Sequence, residues 1–254
     1  MASRADRHKP QGYVAPPRRA RVATSLPEGL DHYEFKRELE PMGDPQMWRY
    51  SIQYDAAGLP TREVSSPPPF QELDLEGFFG RAGAELEIEI GMGKGSFLVP
   101  YSKLHPELNL LGVEWTIPIA LHALERLRRQ GGEHARILAG DAPFFLRDRL
   151  APATVSAFHI YFPDPWPKEK ARKRRIMQPG FLEILKRCAK PGATLYWGTD
   201  HEEYNASTVE LLTATEGFAC LETDAGPTDG LRTNFESKYL REGRPIYRSN
   251  WRLN

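Results

Sequence analysis

A chain of 254 residues with 34 Lys plus Arg against 34 Asp plus Glu can bury a full core and carries no net charge. Global charge therefore selects no polyanionic partner, and any nucleic-acid binding must come from local clustering. Cys188 and Cys220 stand far apart in no CxxC spacing. No zinc site or disulfide scaffold is expected, and both thiols are read as reduced core residues. No apolar run reaches membrane-span length and MASRADRHKPQ lacks a secretory apolar segment, so a cytoplasmic protein is expected.

Two parts are expected: an N-terminal extension over 1–77 and one α/β domain over 78–254. Residues 1–29 are rich in Arg, Pro, Ala and Ser, without apolar periodicity, and read as a flexible basic tail. Between 30 and 77, Met47–Tyr54 and Thr61–Val64 flank AAGLP and are compatible with a short hairpin, and SSPPP ends it.

From Glu85 the pattern is regular. Apolar runs at 85–90, 108–113, 135–139, 153–162 and 193–198 alternate with helix-like segments near 96–104, 116–130, 142–149, 179–189 and 202–216. Alternating strand and helix predicts a doubly wound, mostly parallel, Rossmann-like sheet with its ligand at the carboxyl ends of the strands. GRPIYRSNWRLN reads as a last strand, antiparallel, at or near the sheet edge.

The first strand runs into Gly91, Gly93 and Gly95, a G-x-G-x-G turn that differs from dinucleotide and P-loop spacings. Glu89 stands two residues before it. A carboxylate there repels a pyrophosphate and attracts an ammonium or sulfonium, which points to S-adenosylmethionine. The competing reading makes Glu85, Glu87 and Glu89 the polar face of a strand, and Glu87 has no assigned role. Glu114 closes the second strand, where an acid can accept from ribose hydroxyls. Asp141 closes the third, before Ala142-Pro143, and also reads as a helix N-cap.

After the fourth strand comes FPDPWPKEKARKRR. Asp164 lies between Pro163 and Pro165, beside Trp166, and six of the eight residues from Lys168 to Arg175 are Lys or Arg. An Asp-Pro turn and a solvated basic face are the plain alternatives. Downstream, Asp200 with Glu203, and Thr233 with Glu236, fit capping boxes.

EIGMGKG, GVEW, GDA, FPDPWPK with KRR after it, TDHEEY, TNFESKY and GRPIY occur in this order. Together they resemble the bacterial tRNA (guanine-N7)-methyltransferases over about Phe78 to Trp251. The resemblance implies a class I methyltransferase fold, S-adenosylmethionine as cofactor and a variable-loop guanine in tRNA as substrate. It implies that Glu89, Glu114, Asp141 and Asp164 line the cofactor site, with Asp164 also the catalytic residue. It assigns Lys168, Asp200, Thr233, Asn234, Phe235 and Glu236 to the substrate, and Lys170, Arg172, Lys173, Arg174 and Arg175 to RNA. Departures occur at Ala171, where the family often has histidine, at Glu169, which replaces a frequent base, and at Asn234, where Lys or Arg is common. Altered tRNA contacts are expected there rather than lost activity. A monomer and a homodimer stay equally open. The alternatives are a non-catalytic RNA-binding protein on the same fold and, against the glycine spacing and Glu89, an NAD-dependent dehydrogenase.

Overall fold

The computed structural model describes residues 37–52 and 72–254. Its strands are β1 (Arg37–Asp44), β2 (Met47–Ile52), β3 (Leu86–Ile90), β4 (Asn109–Glu114), β5 (Ala135–Gly140), β6 (Val155–Tyr161), β7 (Ala189–Thr199), β8 (Phe218–Thr223) and β9 (Tyr247–Leu253). Its helices are α1 (Leu75–Phe79), α2 (Leu98–Leu104), α3 (Ile117–Gln130), α4 (Ala142–Arg149), α5 (Pro179–Cys188), α6 (Glu202–Ala214) and α7 (Asn234–Arg241). One sheet runs in the order β1-β2-β5-β4-β3-β6-β7-β9-β8. Strands β2 to β7 pair in parallel along this order, whereas β1, β8 and β9 pair antiparallel.

The alternating pattern from Glu85 onward thus folds as expected, and the last strand lies one place in from the edge. The edge strand β8 escaped because FACLET is a short apolar run without alternation, and five of its six residues are not buried. The hairpin differs from expectation. Met47–Ile52 pairs with the preceding Arg37–Asp44 through a turn at Pro45-Gln46, and Thr61–Val64 lies outside the described residues. Glu40 faces Arg49 across this hairpin and the two form an ion pair. Strand β2 covers the edge of β5, where Gln46 Nε2 donates to the carbonyl of Gly132 at 2.9 Å and Tyr50 Oη donates to Asp148 at 2.6 Å. An edge strand so covered offers no free ladder to another chain.

Successive side chains of a strand face opposite sides, and the core divides accordingly. Leu86, Ile88 and Ile90 of β3 join Phe145, Phe158, Leu182 and Trp197 in one buried cluster. On the other side Met92, Phe97, Leu124 and Ile137 form a second. Both faces are covered, so Glu87 and Glu89 point into protein rather than water. Cys188 is buried as expected and burial pushes its thiol up to about 11. Cys220 is exposed on β8, contrary to the core position expected of it; an edge strand with water on one side leaves it there. No described helix is long and apolar enough to cross a membrane.

Candidate active site

The strand order reverses about β3, which has β4 on one side and β6 on the other, and the crevice at such a switch point is where a wound sheet binds ligands. The carboxyl ends of five parallel strands bring Glu89, Glu114, Asp141, Asp164 and Asp200 to one edge of the sheet.

Glu89 is 3% exposed, and its Oε2 is buried without a hydrogen-bond partner among the described residues. Burial pushes its carboxyl well above the usual carboxylate range; a backbone N–H of Leu98 pulls the other way and the charge of Glu114 adds to the rise. A buried carboxylate lacking a partner is costly unless a positive or donating group completes it. The glycine turn lies beside it. Gly91 and Gly93 have φ of +78° and +56°, and a Cβ at either would meet open space. Gly95 has a different reason: a Cβ there would come within 3.1 Å of Val99 and 3.2 Å of Ala123, so it lets the turn pack on α2 and α3.

Glu114 accepts from the N–H of Gly93 at 3.2 Å and from that of Thr116 at 2.8 Å, which ties the second acid to the glycine turn. Asp141 is the N-cap of α4, accepting from Phe144 N–H at 3.1 Å in extended backbone. The helix-cap reading of Asp141 therefore holds, and the same carboxylate stands at the strand end.

Asp164 is exposed and makes no hydrogen bond or ion pair with a described residue. Two non-glycine residues of left-handed backbone flank it, Phe162 at φ +52° and Trp166 at +41°, each costing about 1–2 kcal/mol. Strain of this kind persists only where its surroundings over-determine it. Here Phe162 N–H donates to Gly198 O at 2.7 Å, and the Arg174 guanidinium lies 5.0 Å over the Trp166 ring.

The basic run is a short 3-10 helix, Glu169–Arg174, and it divides by environment. Lys168, Lys170 and Lys173 are exposed and form no ion pair with described residues, and Arg174 is exposed on Trp166. Arg172 reaches Glu203 at 3.3 Å. Arg175, expected to face RNA, is 6% exposed with its guanidinium turned inward. Sequence could not separate it from its neighbours, because a run of charge carries no record of which side chain folds back.

Asp200 is ion-paired to Arg244, whose guanidinium lies 4.0 Å over the Tyr239 ring. The capping box expected of Asp200 and Glu203 does not form. The N-cap of α6 is His201, whose Nδ1 accepts from Tyr204 N–H at 3.3 Å, and Glu203 turns to Arg175. Thr233 does cap α7, accepting from Glu236 N–H at 3.1 Å, but Glu236 pairs with the buried Arg248 instead of reaching back. Asn234 N–H donates to Ser96 Oγ at 2.9 Å, which seats the start of α7 on the residue after Gly95. Phe235 remains 51% exposed beside Tyr239.

Glu87 now has a place. Its Oε2 accepts from Tyr101 Oη and from His159 Nε2, both at 2.9 Å. His159 Nδ1 lies 3.0 Å from Tyr161 Oη, which lies 2.7 Å from Thr228 Oγ1. This chain crosses from β3 to the loop that leads into α7. His159, Tyr101 and Tyr161 went unnoticed in the sequence because each reads as an ordinary member of an apolar segment.

A parallel wound sheet closed on one side by the reversed strand β9 and then β8, with a glycine turn after strand β3 and acids at successive strand ends, defines the class I methyltransferase fold. The Methyltransf_4 family model, described as "Putative methyltransferase", matches residues 84–249. The tRNA (guanine-N(7)-)-methyltransferase of Nitrosococcus oceani is 35% identical over 175 residues, which cover 69% of this chain and 74% of that protein. Its namesake in Nitrosomonas eutropha is 33% identical over 70% of this chain and 81% of its own length. Among solved structures, the antibiotic-resistance methyltransferase Kmr superposes with a TM-score of 0.50 at 16% identity, covering 74% of this chain and 95% of that one; this likeness is one of fold. The chain belongs to the tRNA (guanine-N(7)-)-methyltransferase family.

Proposed function

We propose that this protein transfers the methyl group of S-adenosylmethionine to N7 of a variable-loop guanosine in tRNA. The observation that carries the reading, in a chain of this family, is the pair of carboxylates on neighbouring strands. Glu89 is buried with one oxygen, Oε2, lacking a partner among the described residues, Asp164 is exposed and unpaired among them, and a basic run follows the second.

The residues fit the cofactor. Glu89 lacks a positive partner of the kind an amino-acid ammonium supplies, and Gly91 and Gly93 leave room for close approach to the backbone. Carboxylates accept from ribose hydroxyls and from an adenine amino group, the roles given to Glu114 and Asp141 at their strand ends. A dinucleotide pyrophosphate would meet the Glu89 carboxylate instead, which disfavours the dehydrogenase alternative. When bound, S-adenosylmethionine supplies an electrophilic methyl carbon.

Guanine N7 carries an in-plane lone pair, so no proton has to leave before it attacks and Asp164 need not act as a base. Asp164 holds the guanine edge and balances the positive charge that accrues on the purine. Positioning of this kind supplies up to ~7–11 kcal/mol. Lys168, Asp200 and the Thr233–Glu236 segment surround the base, with Arg244 yielding Asp200 as the base enters. Lys170, Lys173, Arg174 and Arg172 hold phosphates, and Trp166 offers a ring on which a splayed base stacks.

Labelled methyl transfer to unmodified tRNA, followed by mapping of the modified nucleotide, tests the reading. One N7-methylated guanosine in the variable loop is expected. Transfer to another atom or to no tRNA overturns it.

A further inference from the structure

The basic run contains one arginine that does not face outward, and its contacts lead to the loop of Asp164. Arg175 Nε donates to the carbonyl of Pro165 at 2.8 Å. Its two terminal nitrogens meet the two oxygens of Glu203, at 3.2 Å from Nη1 and 2.5 Å from Nη2, and Nη1 also donates to Ser207 Oγ at 3.3 Å. The guanidinium lies 4.5 Å from the Tyr204 ring centroid, and Tyr204 Oη accepts from Met177 N–H at 3.3 Å. All three faces of the cation are thus used: one on the Asp164 loop, one on the carboxylate of α6 and one on an aromatic ring.

We propose that Arg175 and Glu203 are positioning residues for the methyl transfer, Glu203 orienting the guanidinium that grips the Pro165 carbonyl and so sets Asp164 in its loop. The proposal rests on the function given above and removes Arg175 from the set of RNA-binding residues. A two-pronged arginine–carboxylate pair fixes direction as well as distance, which a flexible Lys at the same position does not reproduce. The loop needs such a fixture, since Phe162 and Trp166 are held at φ of +52° and +41° on either side of the aspartate. The hydrogen bond from Arg175 holds the Glu203 carboxyl below its ordinary range, so the pair stays ionised at neutral pH.

The test compares Arg175→Ala, Arg175→Lys, Glu203→Gln and the Arg175→Ala/Glu203→Gln double variant with the wild type. Three readouts are taken: single-turnover methylation at saturating tRNA, the salt dependence of tRNA binding, and hydrogen exchange of peptides spanning 162–168. Calorimetric binding of S-adenosylmethionine reports that each variant is folded. Arg175→Ala and Glu203→Gln are expected to slow the single-turnover rate by about 10- to 100-fold, the size of effect that small misplacement produces. The slope of log K against log salt should stay at the wild-type value in Arg175→Ala; Glu203 also pairs with Arg172 at 3.3 Å, so the slope is read on the single Arg175 variants alone. The double variant should be no slower than Arg175→Ala, and Arg175→Lys should recover only part of the rate. Exchange over 162–168 should rise in all four variants. A reduced salt slope with the rate at saturation retained makes Arg175 a phosphate contact and overturns the proposal. Unchanged exchange over 162–168 in Arg175→Ala also overturns it, and this readout holds even if the wild type methylates no tRNA, an outcome that counts against the function alone. If Arg175→Ala does not fold, Glu203→Gln decides by the single-turnover rate and by exchange over 162–168.

Discussion

Glu236 on α7 and Arg248 on β9 form an ion pair in which the carboxylate side chain is 4% exposed and the guanidinium 7%. The arginine also lies 5.5 Å over the ring of Tyr161 at the end of β6. One contact thereby fastens the helix bearing Thr233–Glu236 to the sheet, and one oxygen of an acid that the resemblance assigns to the substrate is already committed to the protein.

Removing one partner of a buried pair leaves the other charge uncompensated. Arg248→Ala should cost about 3–5 kcal/mol and lower the melting temperature by roughly 10 °C. Replacing both residues, by Arg248→Met with Glu236→Leu, should recover much of that loss while abolishing turnover. Thermal unfolding of the two variants beside the wild type, together with a methylation assay, checks this.

Glu89 sets a pH dependence with opposite signs for the free and the bound protein. Its folded-state pKa is raised by burial, so the fold favours the protonated form. The cofactor-free protein therefore loses stability as pH rises from the usual carboxylate range up through the raised value. A positive ligand favours the carboxylate, so affinity for S-adenosylmethionine should climb over the same window. Glu89→Gln should flatten both profiles and weaken binding by at least about tenfold, the equivalent of ~1.4 kcal/mol. Calorimetric titrations across pH provide the measurement.

The exposed members of the basic run should act as phosphate contacts. Lys170→Ala, Lys173→Ala and Arg174→Ala should each reduce the slope of log K for tRNA against log salt by roughly 0.7–0.9. Their maximal rates at saturating tRNA should fall much less than their affinities. Binding measured between low and physiological salt separates these effects.

The chain Glu87, His159, Tyr161 and Thr228 ties the core to the loop before α7. His159→Phe removes one hydrogen bond each from Glu87 and Tyr161, which keep Tyr101 and Thr228 as partners, at about 1 kcal/mol each, and should destabilise the domain, as thermal unfolding would show. Tyr161→Phe is milder: it frees Thr228, and should raise KM for tRNA and hydrogen exchange over 224–233 while leaving cofactor affinity close to wild type.

Much of this was written in local sequence. The strand ends and the glycine turn followed from hydrophobic alternation, and Glu89, Glu114, Asp141 and Asp164 from their places at those ends. Asp141 and Thr233 were recognisable as caps because an N-cap is a contact three residues long. What escaped depends on distant pairing. Arg175 meets Glu203 at a separation of 28 residues, Glu87 meets His159 at 72, and Asp200 meets Arg244 at 44. No periodicity encodes such partners. The strand β1 escaped for another reason: it is an edge strand whose alternation, RELEPMGD, is broken by Pro41 and Gly43.

The most direct test concerns Asp164, through single-turnover methylation of unmodified tRNA by the wild type, Asp164→Asn and Asp164→Ala, with the modified atom identified in each case. The expected outcome is N7-methylguanosine at one variable-loop position, formed roughly 100- to 1,000-fold more slowly by Asp164→Ala, as when a single electrostatic stabiliser is lost. Asp164→Asn should retain more activity, since it keeps a hydrogen-bonding edge without the charge. An Asp164→Ala rate within twofold of wild type, or a methyl group on an atom other than N7, would contradict the role given to this carboxylate.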